Sequence, residues 1–259
     1  MSRLLEIEQL TKRFGGVVAL DEVSVHVDEG ETVGLIGPNG AGKTTLFNCV
    51  TGILRPDQGA VQFGSTSRES LMRLAAHEVV QRGVARTFQN IRLFASMSVL
   101  QNAIIGTYAR THAGLLSAAL ATREARREEQ WARDRAMGLL EFVGLASRAE
   151  EVAGDLPFGL RRRLEIARAL ACDPALLLLD EPAAGLNPTE KHSLLGLIAQ
   201  LKAQGLAILL IEHDMQVVMP ISERVVVLDY GKKIAEGSPR EIQSDPRVIE
   251  AYLGTSASP

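Results

Sequence analysis

One stretch restricts this chain more than any other: Gly37-Pro38-Asn39-Gly40-Ala41-Gly42-Lys43-Thr44-Thr45. Its first eight residues fit the pattern G-x-x-x-x-G-K-[ST]. Glycines in such a loop let backbone N–H groups converge on an anion, and the following helix adds its positive N-terminal end. The context fits as well. An apolar strand at residues 32–36 precedes the loop, and an apolar helix at residues 44–51 follows it, punctuated by Gly52 and Pro56. Lys43 is placed to reach the β- and γ-phosphates of a nucleotide, Thr44 to offer its hydroxyl to Mg²⁺, and Thr45 to add a further phosphate hydrogen bond. The plain alternative is a glycine-rich turn before a helix, and the strand–loop–helix context weighs against it.

A second strand ends in acid. Leu176-Leu177-Leu178-Leu179 runs into Asp180-Glu181. Parallel α/β sheets place ligands at the carboxyl ends of their strands. Asp180 is then a Mg²⁺ ligand acting through water, and Glu181 the general base for an attacking water. A solvated turn after a strand, marked by Pro182, is the competing explanation. It weakens once the phosphate loop is taken into account.

The rest of the chain has the organisation such a site needs. Residues 4–10 and 23–27 alternate as strands, and residues 60–63 read as an edge strand. From about residue 94 to 148 strand patterning disappears. Residues 99–108 and 122–143 read as helices, and the charges of residues 122–135 as a solvated helix face. The small apolar stretch 111–120 between them is open: loop, short helix or partner contact. Beyond it α/β alternation returns, with helices at 160–171, 188–203 and 214–221, strands at 175–179 and 206–211, and a terminal hairpin, 224–229 with 232–236. The expected fold class is α/β: a P-loop core with an antiparallel β edge, interrupted by a helical insertion. The expected division is 1–93 and 172–259 for the core and 94–171 for the helical part.

Composition narrows the function. The net charge is −3, from 28 Lys+Arg and 31 Asp+Glu, which argues against a dedicated nucleic-acid partner. The longest apolar runs are far shorter than the roughly 20 residues that span a bilayer. The first residues carry no signal-peptide apolar block. Any membrane role therefore comes through partners. Cys49 and Cys172 lie in apolar helical patterns and read as buried hydrophobes.

Taken in order, the motifs resemble the ATP-binding subunits of ABC transporters over nearly the whole chain. They are the P-loop, Thr87-Phe88-Gln89, a helical insertion, Leu156-Pro157-Phe158-Gly159-Leu160, the acid pair, Ala184-Gly185-Leu186-Asn187 and Ile211-Glu212-His213. Arg86-Thr87-Phe88-Gln89-Asn90-Ile91-Arg92-Leu93-Phe94, Arg163-Leu164-Glu165-Ile166-Ala167-Arg168 and Glu212-His213-Asp214-Met215 are similar to the branched-chain amino acid importer subgroup. The resemblance implies MgATP hydrolysis powering import of branched-chain amino acids or a related small polar solute. It implies that Gln89 senses Mg²⁺ and water, that His213 contacts the γ-phosphate, and that Phe14 stacks on adenine. It also implies a second ATPase subunit packed head to tail, transmembrane permease subunits, a solute-binding protein acting indirectly, and a peripheral place on the cytoplasmic face of the membrane. A non-transport ABC ATPase usually has two such domains or a long coiled-coil insertion, and a P-loop kinase has no use for the Gln89 and His213 series.

The sequence departs from the family pattern Leu-Ser-Gly-Gly-Gln, the signature that faces the partner's nucleotide. Pro157 stands where the serine is expected and Leu160 where the glutamine is, leaving Gly159 and the helix end to face the phosphate. Proline has neither a hydroxyl nor an N–H to donate. Two copies of this chain would make two weakened sites. The resemblance therefore favours a heterodimer over a homodimer, and leaves open a regulatory subunit with weak hydrolysis of its own.

Overall fold

The structure is a computed structural model that describes residues 2–110 and 123–253. In chain order, β1 (Arg3–Phe14) and β2 (Val17–Asp28) pair, and β3 (Thr32–Ile36) leads through the glycine loop into α1 (Lys43–Val50). β4 (Gln58–Phe63), β5 (Glu69–Ser70), α2 (Ala76–Gln81) and β6 (Val84–Arg86) follow. Then come helices α3 (Val99–Thr107), α4 (Arg123–Phe142) and α5 (Phe158–Leu170). The alternation resumes with β7 (Leu176–Asp180), α6 (Pro188–Ala203), β8 (Ala207–Ile211), α7 (Met215–Ile221), β9 (Arg224–Asp229) and β10 (Lys232–Gly237), and α8 (Pro239–Ser244) and α9 (Pro246–Leu253) finish it.

Two sheets result. One is antiparallel, in the order β2-β1-β4-β5; the other runs β10-β9-β3-β8-β7-β6, parallel except for β10. The continuous apolar runs are explained by burial on both faces of this second sheet. In β7, Leu177 and Leu179 join one core while Leu176 and Leu178 join the other. β8 divides the same way, Ile208 and Leu210 against Leu209 and Ile211. One core holds Leu100, Leu140 and Leu164 from α3, α4 and α5; the other holds Leu46 and Phe47 of α1 with Leu5 and Ile7 of β1. The sheet is thus clamped between a helical side and an antiparallel side, and its strand ends carry the site. Both cysteines are buried, and burial pushes each thiol up to about 11, so neither is a ready nucleophile. Among the described residues no helix is long and apolar enough to cross a membrane.

Several elements differ from the sequence expectation. β1 and β2 run well beyond residues 4–10 and 23–27, because irregularities in their pairing break the alternation. Gln9 and Glu22 sit there with φ of 44° and 51°. β6 is three residues long, too short for any periodicity, and is found only through its pairing with β7. α2, α8 and α9 were not anticipated, although Ser238 and Glu241 form a capping box at the start of α8. The terminal hairpin turns at Tyr230 and Gly231, both at positive φ, the two-residue turn that matches strand twist. The open stretch 111–120 lies outside the described residues.

Candidate functional site

The glycine loop is built around close backbone approach. Gly37 and Gly42 have φ of 150° and 100°. A Cβ at Gly37 would collide with the Leu228 carbonyl, and one at Gly42 with the Ala19 carbonyl. β9 and β2 thus press on the loop from outside and hold it in its curve. Gly42 caps α1 with no side-chain hydrogen bond, so the first-turn N–H groups keep their donors for an anion. Lys43 is buried, and its Nζ donates to the carbonyls of Gly37 at 2.7 Å and Pro38 at 2.9 Å. Burial lowers the pKa of its ammonium, while the Glu181 and Asp180 carboxylates pull it back up. The cation and the acid pair therefore share one site. Thr44 is exposed and Thr45 half-buried on the opening turn, with Pro38, Asn39, Gly40 and Ala41 completing the rim.

The acid pair splits at the end of β7. Asp180 is buried, and its Oδ2 accepts from Arg86 Nη2 at 2.7 Å. Arg86 also donates to Asn48 Oδ1 at 2.7 Å, and its guanidinium lies 5.3 and 5.2 Å from the ring centroids of Phe47 and Phe88. Glu181 has a φ of 45°, a left-handed conformation that costs a non-glycine residue about 1–3 kcal/mol. Its N–H donates to Ile211 and its carbonyl accepts from Ala184, which hold it there. Gln89 Nε2 donates to Glu181 Oε2 at 2.9 Å, and His213 Nδ1 stands 3.9 Å from the same oxygen. Two residues, each more than 30 positions from Glu181 in sequence, thus converge on its carboxylate. No group of three or more His, Cys, Asp or Glu side chains placed to enclose a metal occurs among the described residues. The oxygen donors, Thr44 and Asp180, suit a hard cation that keeps most of its water and takes phosphate ligands, as Mg²⁺ does.

Two expected residues stand apart from this group. Phe14 is exposed at the tip of the β1–β2 hairpin, under the ammonium of Lys12. The hairpin itself approaches the site, since Ala19 passes over Gly42. Gly159 is buried at the start of α5, with the Glu190 carboxylate packed over its Cα. Pro157 is the N-cap of α5, so its missing N–H falls outside the helix, and its carbonyl accepts from Leu160 and Arg161 at 3.0 Å each. Leu160 packs against the helical-side core.

The family model described as ABC transporter matches residues 20–184. The chain belongs to the ABC transporter ATP-binding family. A second model, branched-chain amino acid ATP-binding cassette transporter, matches residues 232–258 of this cassette. The cassette is 44% identical over 256 residues to the high-affinity branched-chain amino acid transport ATP-binding protein BraF of Pseudomonas aeruginosa, covering 98% of this chain and 99% of that one. It is 47% identical over 253 residues to LivG of Salmonella typhimurium, a protein of the same description, covering 97% and 98%. Among solved structures, the ADP conformation of an ATP-binding cassette of an ABC transporter superposes with a TM-score of 0.85 at 34% identity, covering 98% of this chain and all of that one. The fold class expected from sequence, and ATPase activity, are those of the family.

Arg86 and Glu212 have no role assigned from the sequence. A signal was present in each case, a charged residue at the end of an apolar strand run. Glu212 is buried, and its carboxylate accepts from the N–H groups of Ala183 at 2.8 Å and His213 at 3.3 Å. It ties the segment after Glu181 to His213. Burial raises its pKa above the usual glutamate value, against the lowering effect of those N–H donors and His213. The folded cassette therefore holds this proton to higher pH than the unfolded chain does. Its contribution to stability is present at low pH and declines as pH rises from about 4.3 through the raised value. Glu212→Gln is expected to flatten that decline, read as urea midpoints from pH 4 to 8. An unchanged slope would discount the buried carboxyl.

Proposed function

We propose that this chain is the ATP-hydrolysing subunit of an importer for branched-chain amino acids or a related small polar solute. Convergence of Gln89 and His213 on Glu181, beside a phosphate loop, carries the reading. In it, Gly37, Gly40 and Gly42 and the N–H groups of Pro38's successors through Thr45 cradle the phosphates, and Lys43 supplies charge. Thr44 and Asp180 hold Mg²⁺ with Gln89 nearby; the ion neutralises phosphate charge when bound. Glu181 takes the proton of the attacking water, oriented by Gln89 and His213, and Phe14 stacks on the adenine. Residues 94–171 act as a helical subdomain, which the described helices and short turns there support. Ile91, Leu93, Phe94, Met97 and Val99 belong to the segment that would meet a membrane subunit; Phe94 and Met97 are exposed, whereas Val99 is core.

The relatives' names support the solute class, and they support permease subunits as partners and a peripheral place on the cytoplasmic face of the membrane; among the described residues no helix is long and apolar enough to cross a membrane. Two ATPase subunits pack head to tail, and the altered signature favours a heterodimer over a homodimer. The test is co-expression with the candidate permease and second ATPase subunits, reconstitution with the binding protein, and uptake of labelled leucine, glutamine and urea. MgATP-dependent leucine uptake is expected. Uptake of another solute alone would reassign the cargo.

The second reading, a subunit with weak hydrolysis of its own, rests on Pro157 and Leu160. The chain alone is expected to turn over little MgATP. Pro157→Ser with Leu160→Gln is expected to raise turnover about 10-fold to 10³-fold by restoring a transition-state donor. A gain below about 2-fold, in a steady-state assay at matched dimer concentration, would show that the missing donor is not limiting.

A further inference from the structure

The segment joining β6 to α3 has no regular structure, yet its peptide groups are held by side chains of two helices. Arg162 and Glu165 lie one turn apart on α5 and form an ion pair of 2.7 Å, each side chain 1% exposed. Arg162 Nη1 donates to the Phe88 carbonyl at 2.7 Å and Nη2 to the Gln89 carbonyl at 2.9 Å. Glu165 Oε1 accepts from the N–H groups of Phe88 at 3.2 Å and Arg92 at 3.4 Å. Farther along, buried Asn102 of α3 grips the N–H and the carbonyl of Phe94 at 2.9 and 3.0 Å. Apolar packing would dock a loop on a helix with less desolvation than a buried ion pair requires. What the pair adds is direction: the two Arg162 bonds fix the peptide planes on either side of Gln89, the two Glu165 bonds anchor the chain before and after it, and together they set where the Gln89 side chain starts.

We propose that the Arg162–Glu165 pair is a positioning element that holds Gln89 in reach of Glu181. This rests on the ATPase reading above. The connections run without a gap. The Phe158 ring, one residue into α5, lies 5.9 Å from the Arg162 guanidinium. Arg162 holds the Phe88 and Gln89 carbonyls, and Gln89 reaches Glu181 at 2.9 Å.

The test is a double-mutant cycle in the assembled ATPase, with MgATP binding measured separately by calorimetry. Glu165→Gln is expected to lower kcat about 10-fold with KM for MgATP within about 2-fold. In a Gln89→Ala background the same change is expected to lower kcat by less than about 2-fold, because the pair acts through Gln89. Losses that multiply in the two backgrounds would overturn the proposal and leave the pair a purely structural feature. A second measurement is independent of turnover. In the full chain, Glu165→Ala is expected to speed hydrogen exchange of the Phe88 and Arg92 amides at least about 10-fold while β7 stays protected. Unchanged exchange at those amides would also overturn it. If the wild-type assembly binds MgATP but never hydrolyses it, the ATPase reading fails, and the exchange result still decides whether the clamp exists.

Discussion

Glu181→Gln is expected to leave MgATP bound and to slow its hydrolysis about 10²-fold to 10⁴-fold. The substitution keeps size and shape, and the amide oxygen still accepts from Gln89 Nε2, which now lies 2.9 Å from the carboxylate. It removes the basic lone pair that would take the proton of the attacking water. The backbone is not expected to move, since the φ of 45° is held by the Ile211 and Ala184 hydrogen bonds rather than by the side chain. Single-turnover hydrolysis in the assembled transporter separates this from a binding defect. Turnover equal to wild type would reject Glu181 as the base. A parallel loss of affinity would instead assign it to nucleotide binding.

Lys43→Ala is expected to weaken MgATP binding by at least about 10²-fold and to abolish detectable turnover. A charge-assisted hydrogen bond is worth about 1.5–3 kcal/mol, and the ammonium is placed to make more than one with the phosphates. The same Nζ ties the Gly37 and Pro38 carbonyls together, so its removal also loosens the cradle. Lys43→Arg is expected to fail as well, because a planar fork does not replace a compact ammonium in a buried niche. Calorimetric titration with MgATP, alongside thermal unfolding, distinguishes loss of ligand contact from loss of fold. Affinity within about threefold of wild type in Lys43→Ala would remove the residue from the phosphate site.

Much of the candidate site was legible because its signals are local. The glycine loop declares itself in nine consecutive residues. Its conformation follows from the lack of Cβ atoms at Gly37 and Gly42, where neighbouring carbonyls leave no room for one. The acid pair is adjacent in sequence, and the four leucines before it announce a strand buried on both faces. Gln89 and His213 were found differently, through the order of motifs and a resemblance. Nothing in their own neighbourhoods states that each ends within 4 Å of the same Glu181 oxygen.

What stayed hidden is long-range or irregular. Arg86 reads as the polar end of a short apolar run, and its pairing with Asp180, 94 positions away, exists only because β6 lies beside β7. Arg162 and Glu165 fall in the stretch 160–171, which reads from sequence only as a helix. The structure buries both, because the irregular segment after β6 needs partners for its peptide groups. Pairing irregularities in β1 and β2 erase the alternation that sequence reading relies on. Local composition and spacing determined the phosphate loop, the doubly buried sheet and the chemistry of Lys43, Asp180 and Glu181. Only the tertiary structure decided which charges neutralise one another and which helix grips the segment bearing Gln89. Those outcomes depend on which strands and helices become neighbours, and burial makes an unpaired charge or peptide group too costly to leave alone.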